Sequence, residues 1–473
     1  MATTQSMTEH ELNILRRLER LPFSWPHGRL MAMGGLGYFF DSMDVQLIAY
    51  LLPPVAALWG LTNQQTGVLG SSVLFGYLVG AFFSGTLGDL IGRRAVMMNA
   101  LAIYCGFTLL AAFSPSWGFL FWSRVFAGVG LGAESAIIAP FLAEFVASRY
   151  RGRFVGSLSG FFSFGHVYAA LMGWLVVPAI AQGWRIVQVI AALPIVMLLW
   201  WRRALPESPR WLMQQGRTPE AERIVASMEA EVVRRRHKDL PPLDSVAIPP
   251  VSMRTGGTFF QNVAALWSRA MARTTLTLWI NWFAITFCYY GFLIWIPSLL
   301  VRRGLTVTRS FGGAIIINAA AIPGYYSAAF LNEKLDRKWT IVLYMLGGCG
   351  SAFFLSGART EASIITFGFL LNLFMSGVLS GLYAYTPEVY PTSFRTTGMG
   401  AASAFGRIGG VAAPIIIGMT YATIGFGGVF SMTMAILLVA AVVVAVLGRS
   451  TAGKTLEQIT AEEIGVSGQE KLG

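Results

Sequence analysis

Twelve apolar stretches constrain this chain more than any other feature. They run at about 31–57, 66–87, 95–114, 117–142, 154–180 and 185–204, then at about 272–300, 309–331, 339–357, 362–385, 398–422 and 425–447. Each is close to or beyond the roughly 20 residues that a helix needs to cross a hydrocarbon layer. Backbone N–H and C=O groups find no water there, so such a stretch closes its own hydrogen bonds as an α-helix. Only 12% of the residues are charged, about half the share typical of soluble domains. The stretches form two sets of six, which suggests a duplicated architecture. The expected fold is an all-α membrane protein. An N-terminal segment (1–30) leads into a six-helix bundle (31–204), a polar linker (205–271), a second six-helix bundle (272–447) and a tail (448–473).

A net charge of +12 would point to nucleic acid in a soluble protein, but its distribution points elsewhere. Of the 35 Lys and Arg, 28 fall on the N-terminal segment, the even-to-odd loops and linker, and the tail. The positive-inside rule assigns those regions to the cytoplasm. The opposite loops hold only Arg185, Arg302, Arg303, Arg309 and Arg359. Both termini are therefore expected inside, with a lipid bilayer as the partner and no nucleic acid. Cys105, Cys288 and Cys349 lie in apolar stretches, which indicates packing rather than a disulfide framework or a metal cluster. The first 30 residues lack the short apolar core of a cleaved signal peptide. Thr8 and Glu11 have capping-box spacing ahead of Leu12, Leu15 and Leu18, which reads as a surface helix or a frayed tail. In the linker, Thr218 and Pro219 begin a helix that runs toward Arg234, Arg235 and Arg236.

Charges inside apolar stretches are costly, and by default they mark function. Arg407 stands in a run that stays apolar to about Leu447 and is the expected anchor of an anionic substrate. A structural pair with a carboxylate is the alternative. Asp41 and Asp44 share a face of the first span, about 15 Å deep in a layer of about 30 Å. Two such acids do not both ionise readily, which is the behaviour a proton-coupled carrier requires. Arg124 and Glu134 lie nearly three turns apart on the fourth span and cannot pair with each other. Glu134 is free to face Asp41, Asp44 or Arg407. Gly128, Gly130 and Gly132 between them suit close helix packing. His166 is a core histidine or a proton relay. Tyr289, Tyr290, Trp295, Asn318, Tyr325 and Tyr383 supply rings and polar ends that suit a planar substrate. No nucleophile constellation, metal-ligand spacing or cofactor loop is present, so neither an enzyme nor a cofactor is expected, a proton being the one coupling ion considered.

Between spans two and three, Gly85-Thr86-Leu87-Gly88-Asp89-Leu90-Ile91-Gly92-Arg93-Arg94 resembles the signature loop of the major facilitator superfamily. Arg124 and Glu134 resemble that superfamily's charged fourth helix. Pro206-Glu207-Ser208-Pro209-Arg210-Trp211-Leu212 and Thr386-Pro387-Glu388-Val389-Tyr390-Pro391-Thr392 resemble its sugar-porter branch. Asn332 to Lys338 occupies the place of the second signature loop, with Asp336 where glycine is usual. The resemblance implies twelve transmembrane helices in two six-helix bundles, working as a single chain. It also implies cytoplasmic gating by Gly85, Asp89, Arg93, Arg94, Glu144, Arg151, Arg153, Glu388 and Arg395, and it adds Glu134 and Arg124 to Asp41 and Asp44 as candidates for proton coupling.

Longer strings are similar to bacterial niacin permeases: Phe40 to Asp44, Tyr289-Tyr290-Gly291, Pro323 to Ala329, Leu382 to Glu388 and Ala404 to Gly410. That resemblance implies import of nicotinate, a planar ring with one carboxylate, across a bacterial inner membrane. A cationic fork suits a carboxylate through paired hydrogen bonds. A carrier of other aromatic acids, organic ions or sugars is the alternative, and a membrane nutrient receptor is the alternative of another class.

Overall fold

The structure, a computed structural model, describes residues 8–236, 240–243, 264, 266–269, 271–390 and 395–450, and among these it contains helices and no strand. A short helix α1 (Glu9–Arg20) precedes the first half. That half comprises α2 (Trp25–Trp59), α3 (Asn63–Ile91), α4 (Arg93–Ala112), α5 (Trp117–Ala143), α6 (Ser148–Val176) and the broken pair α7 (Gly183–Ala192) and α8 (Met197–Ala204). The linker carries α9 (Pro209–Gln214) and α10 (Thr218–Arg236). The second half comprises α11 (Ala272–Arg302), the broken pair α12 (Val307–Ala319) and α13 (Ala321–Lys334), then α14 (Arg337–Ser356), α15 (Glu361–Val389) and α16 (Arg395–Leu447).

Helix α16 is 53 residues long, about 80 Å at 1.5 Å per residue and far beyond one bilayer. It divides at Gly425, whose φ of 62° and ψ of −168° belong to a backbone region that only glycine enters readily. The described residues thus hold eleven helical units able to cross a membrane, the last counting twice. The helix that carries the first span begins at Trp25, because Pro26 fits the first helical turn.

Glycines set how closely helices cross. A Cβ on Gly76 would stand 1.9 Å from Val125 O, and one on Gly80 1.9 Å from Val129 O. Across the same seam, Gly128 and Gly132 lie over Val73 O and Tyr77 O. Helices α3 and α5 therefore touch backbone to backbone, the packing that small residues permit in lipid.

The two halves meet at the end remote from the linker. There a Cβ on Gly67 would be 2.4 Å from Pro414 O, and one on Gly418 2.5 Å from Asn63 O. Gln46 Nε2 donates to Leu293 O at 3.1 Å, and the Tyr50 ring meets Phe311 edge-on at 5.1 Å. At the linker end, the ion pairs among the described residues stay within one half and its appendages. Glu19 of α1 accepts from Ser148 N at 2.7 Å and lies 3.6 Å from Arg210, while Arg17 and Arg20 both pair with Glu229 of α10. Helix α1 has its capping box and buries Ile14, Leu15 and Leu18, so it is a docked helix rather than a frayed tail.

Candidate functional site

Arg407 is delivered by a glycine-rich face of α16. A Cβ on Gly406 would stand 3.0 Å from Trp282 O, one on Gly409 2.5 Å from Phe283 O, and one on Gly410 2.9 Å from Tyr290 Cδ2. The helix is thereby pressed onto α11 and carries Arg407 across to the first half. Its guanidinium lies 4.2 Å above the Tyr77 ring, a cation–π contact. The groups that bear electrostatically on Arg407 are the phenols of Tyr77, Tyr383 and Tyr290. Among the described residues no carboxylate pairs with it. A guanidinium caged by phenols and free of an internal acid keeps its planar fork available to a carboxylate or another anionic group.

Tyr289 packs edge-on against Tyr290 at 5.5 Å, and Tyr325 lies within the electrostatic reach of both and of Tyr383. The Tyr383 ring meets Trp282 at 4.9 Å and is about half exposed, at 49%. Two expected members of this group lie elsewhere. Trp295 is fully buried with its Nε1 donating to Pro414 O at 3.1 Å, which makes it part of the packing near the remote seam. Asn318 Nδ2 donates to Ala314 O at 2.8 Å and to Tyr50 Oη at 3.2 Å, a link between the halves at that same end. Tyr77, which the sequence reading passed over, lies at the centre. It is the sole tyrosine of α3, and its position beside Gly76 was the available signal.

A second buried cluster fills the first half. Arg124 grips Asp44 with both arms, Nη1 to Oδ1 at 3.0 Å and Nη2 to Oδ2 at 3.0 Å, while Nη2 also donates to Asp44 O at 2.8 Å. Thr108 Oγ1 lies 3.4 Å from the same carboxylate. Asp41 and Glu134 are also fully buried, yet none of their four carboxyl oxygens has a hydrogen-bond partner. Glu134 Oε1 lies 2.9 Å from where a Cβ on Gly37 would be, one turn before Asp41, and the two acids sense each other's charge. The pair that shares a helix face, Asp41 and Asp44, thus differs in surroundings. Asp44 is neutralised in an ion pair, and Asp41 faces Glu134.

At the linker end, Arg93 Nε lies 3.6 Å from Glu144, which also accepts a hydrogen bond from Ser208 Oγ. Burial pushes the Glu144 carboxyl above its ordinary range, opposed by Ser208 and Arg93. Arg94 N donates to Glu207 at 3.2 Å, and its Nη2 to Arg202 O at 2.5 Å. Gly92 has a φ of 97°, a backbone conformation that favours glycine, and Glu207 Oε2 lies against it. Gly85 meets only open space, whereas Gly88 lies against Ile137 and Gly92 against Glu207. Arg151 donates to Ala143 O and Val146 O, each at 3.2 Å. Arg153 is exposed. Glu388 pairs with Arg337 at 3.1 Å, and the side chains of Asp89 and Arg395 lie outside the described residues. Among the described residues no group of three or more His, Cys, Asp or Glu is placed to hold a metal ion. An apolar hollow of about 470 Å³ between α11 and α16, lined by Ile280, Phe283, Phe405 and Val439 among others, suits lipid chains rather than an anion.

Two bundles of spanning helices, with an arginine and buried acids between and within them, define a secondary transporter. The model of the sugar (and other) transporter family matches residues 29–462, and the chain belongs to that family, within the major facilitator superfamily; it is a transporter and not an enzyme. It is 39% identical over 450 residues to the niacin transporter of Acinetobacter baylyi, covering 95% of this chain and 100% of the relative. It is 29% identical over 429 residues to organic cation/carnitine transporter 7 of Arabidopsis thaliana, covering 82% and 84%. The partially occluded inward-open form of the xylose transporter of E. coli superposes with a TM-score of 0.72 at 17% identity, over 91% of this chain and 100% of that one, a likeness of fold.

Proposed function

We propose that this protein imports nicotinate, or a closely related aromatic monocarboxylate, by proton symport. It works as a single chain in a bacterial inner membrane with both termini in the cytoplasm. The observation that carries the reading is the Arg407 guanidinium set among Tyr77, Tyr290 and Tyr383 with no acid of its own. A carboxylate supplies the missing charge, and the phenol rings supply faces for a planar ring. The 39% identity to a niacin transporter supports the same substrate. Asp41 and Glu134, buried without partners, supply the coupling proton's seat, since an ionised carboxylate without partners costs several kcal/mol at such depth. The halves rock about Arg407, and contact at the remote seam corresponds to a state open toward the linker.

The test is uptake of labelled nicotinate into proteoliposomes with and without an inward proton gradient, against excess benzoate, nicotinamide and glucose. Gradient-driven accumulation blocked by unlabelled nicotinate is the expected result. Uptake of glucose alone would remove the substrate assignment and leave the fold standing.

The seam makes a second prediction. Gly67→Leu places a side chain where 2.4 Å separates an added Cβ from Pro414 O, so the remote end cannot close. Because each transport cycle requires that closure, uptake is expected to fall by more than about tenfold, the bulk being excluded by close-packed backbone. Melting in detergent is expected to change little, since the clash lies between the halves and not within either. Wild-type uptake by Gly67→Leu would refute closure at this seam.

A further inference from the structure

We propose that His166 and Tyr289 form the part of the site that reads a ring nitrogen, so that the preferred substrate is a six-membered nitrogen heteroaromatic monocarboxylate rather than any aromatic acid. The inference rests on the reading of Arg407 as carboxylate anchor and deepens it.

His166 comes from α6 of the first half and Tyr289 from α11 of the second, and their rings meet at 6.2 Å with an interplanar angle of 69°. His166 is 6% exposed and Tyr289 2%, yet His166 Nδ1 and Tyr289 Oη have no hydrogen-bond partner. Ser376 is a hydrogen-bonding neighbour of the Tyr289 phenol without a bond of normal geometry to it, its own hydroxyl donating to Asn372 Oδ1 at 3.4 Å. Two unpartnered polar groups on facing halves are unusual, because buried polar atoms are almost always satisfied. They are also connected to the anion receptor. The Tyr289 ring packs on Tyr290 at 5.5 Å, and Tyr290 is one of the three phenols bearing on Arg407. Adjacent side chains therefore run from the guanidinium, past two rings, to the imidazole.

A ligand with its carboxylate on Arg407 and its ring against Tyr290 directs the far side of that ring at His166 and Tyr289. A pyridine nitrogen there has one in-plane lone pair and accepts one hydrogen bond, from the imidazole N–H or the phenol O–H. Benzoate has the same size and charge but presents a C–H at that point and leaves the donors unmet. Sites built to hydrogen-bond a ligand atom reject the analogue that lacks it far more strongly than apolar contacts do. Where His166 is the donor, the ligand joins the first half to Arg407 of the second, and the bond also favours the state in which the halves have closed on the ligand.

The test is equilibrium binding of nicotinate and benzoate to the full-length protein in nanodiscs, for wild type, His166→Phe, His166→Gln and Tyr289→Phe. Wild type is expected to prefer nicotinate by at least about tenfold, the scale of one well-placed hydrogen bond in a dry site. At least one of His166→Phe and Tyr289→Phe is expected to bring that ratio within about threefold. If His166 is the donor, His166→Gln, which keeps an N–H, retains part of the preference. A merely structural loss would weaken both ligands together and leave the ratio unmoved, and Tyr289→Phe removes a single oxygen, which limits misfolding. An unchanged ratio in both phenylalanine variants overturns the inference, as does a wild type that binds the two acids equally, while Arg407 keeps its role in either case. A wild type that binds neither acid overturns the proposed function itself.

Discussion

Arg407→Ala is expected to lower nicotinate affinity by at least about 100-fold while the protein remains folded. Truncating one partner of a desolvated, hydrogen-bonded charge pair costs about 2–5 kcal/mol, and each 1.4 kcal/mol is a factor of ten. The upper half of that range applies here, because the phenols around Arg407 offer no second cation to the ligand. Folding survives because the guanidinium neutralises no internal carboxylate, so its removal strands no buried charge. Arg124→Ala is the contrasting case. It would leave Asp44, fully buried and held by both arms of that arginine, without its partner, at a cost of about 3–5 kcal/mol. Arg407→Lys keeps the charge but loses the planar fork and is expected to fall between wild type and alanine. Calorimetric titration paired with thermal melting in detergent separates these outcomes. Wild-type affinity in Arg407→Ala would end the assignment of the anchor.

The spans were legible because hydrocarbon imposes a length and an apolar composition that no tertiary contact overrides. Arg407 stood out for the same reason, as a charge where charges are costly. The glycines at 128, 130 and 132 announced close packing, and the backbone contacts of Gly128 and Gly132 with α3 supply it. What stayed hidden depended on rotation about helix axes. Helices in the interior of a bundle are apolar nearly all round, so residue type and depth place a side chain along the membrane normal but not toward a given neighbour. Trp295 and Asn318 therefore passed as site residues although they face the remote seam. Tyr77 was overlooked because nothing in α3 showed that it points at Arg407. The pairing of Arg124 with Asp44 spans 80 residues, and only the crossing of α2 and α5 discloses it.

If transport is coupled to protons as proposed, that pairing decides which acid is free to carry one. Asp44 already has its counter-charge, whereas Asp41 and Glu134 are buried beside each other with no partner. On the coupling reading proposed above, Asp41→Asn and Glu134→Gln are each expected to abolish gradient-driven accumulation of nicotinate while exchange of internal for external substrate continues. An amide of the same shape carries no proton to release, so the cycle runs only with substrate bound on both legs. Asp44→Asn is expected to behave differently: it strips the fully buried Arg124 of its anion, and the loss appears first as a fall in melting temperature and yield, for binding and exchange alike. Accumulation assays at an imposed proton gradient, run beside counterflow without one, distinguish a coupling residue from a structural one. If Asp41→Asn and Glu134→Gln, singly and together, accumulate nicotinate as wild type does, the proton travels by another route and the unpartnered acids are not its seat. If exchange fails together with accumulation, the acids hold the substrate path open rather than couple it. The asymmetry between two aspartates one turn apart on a single helix is thus a measurable division of labour, set by which of them lies within reach of Arg124.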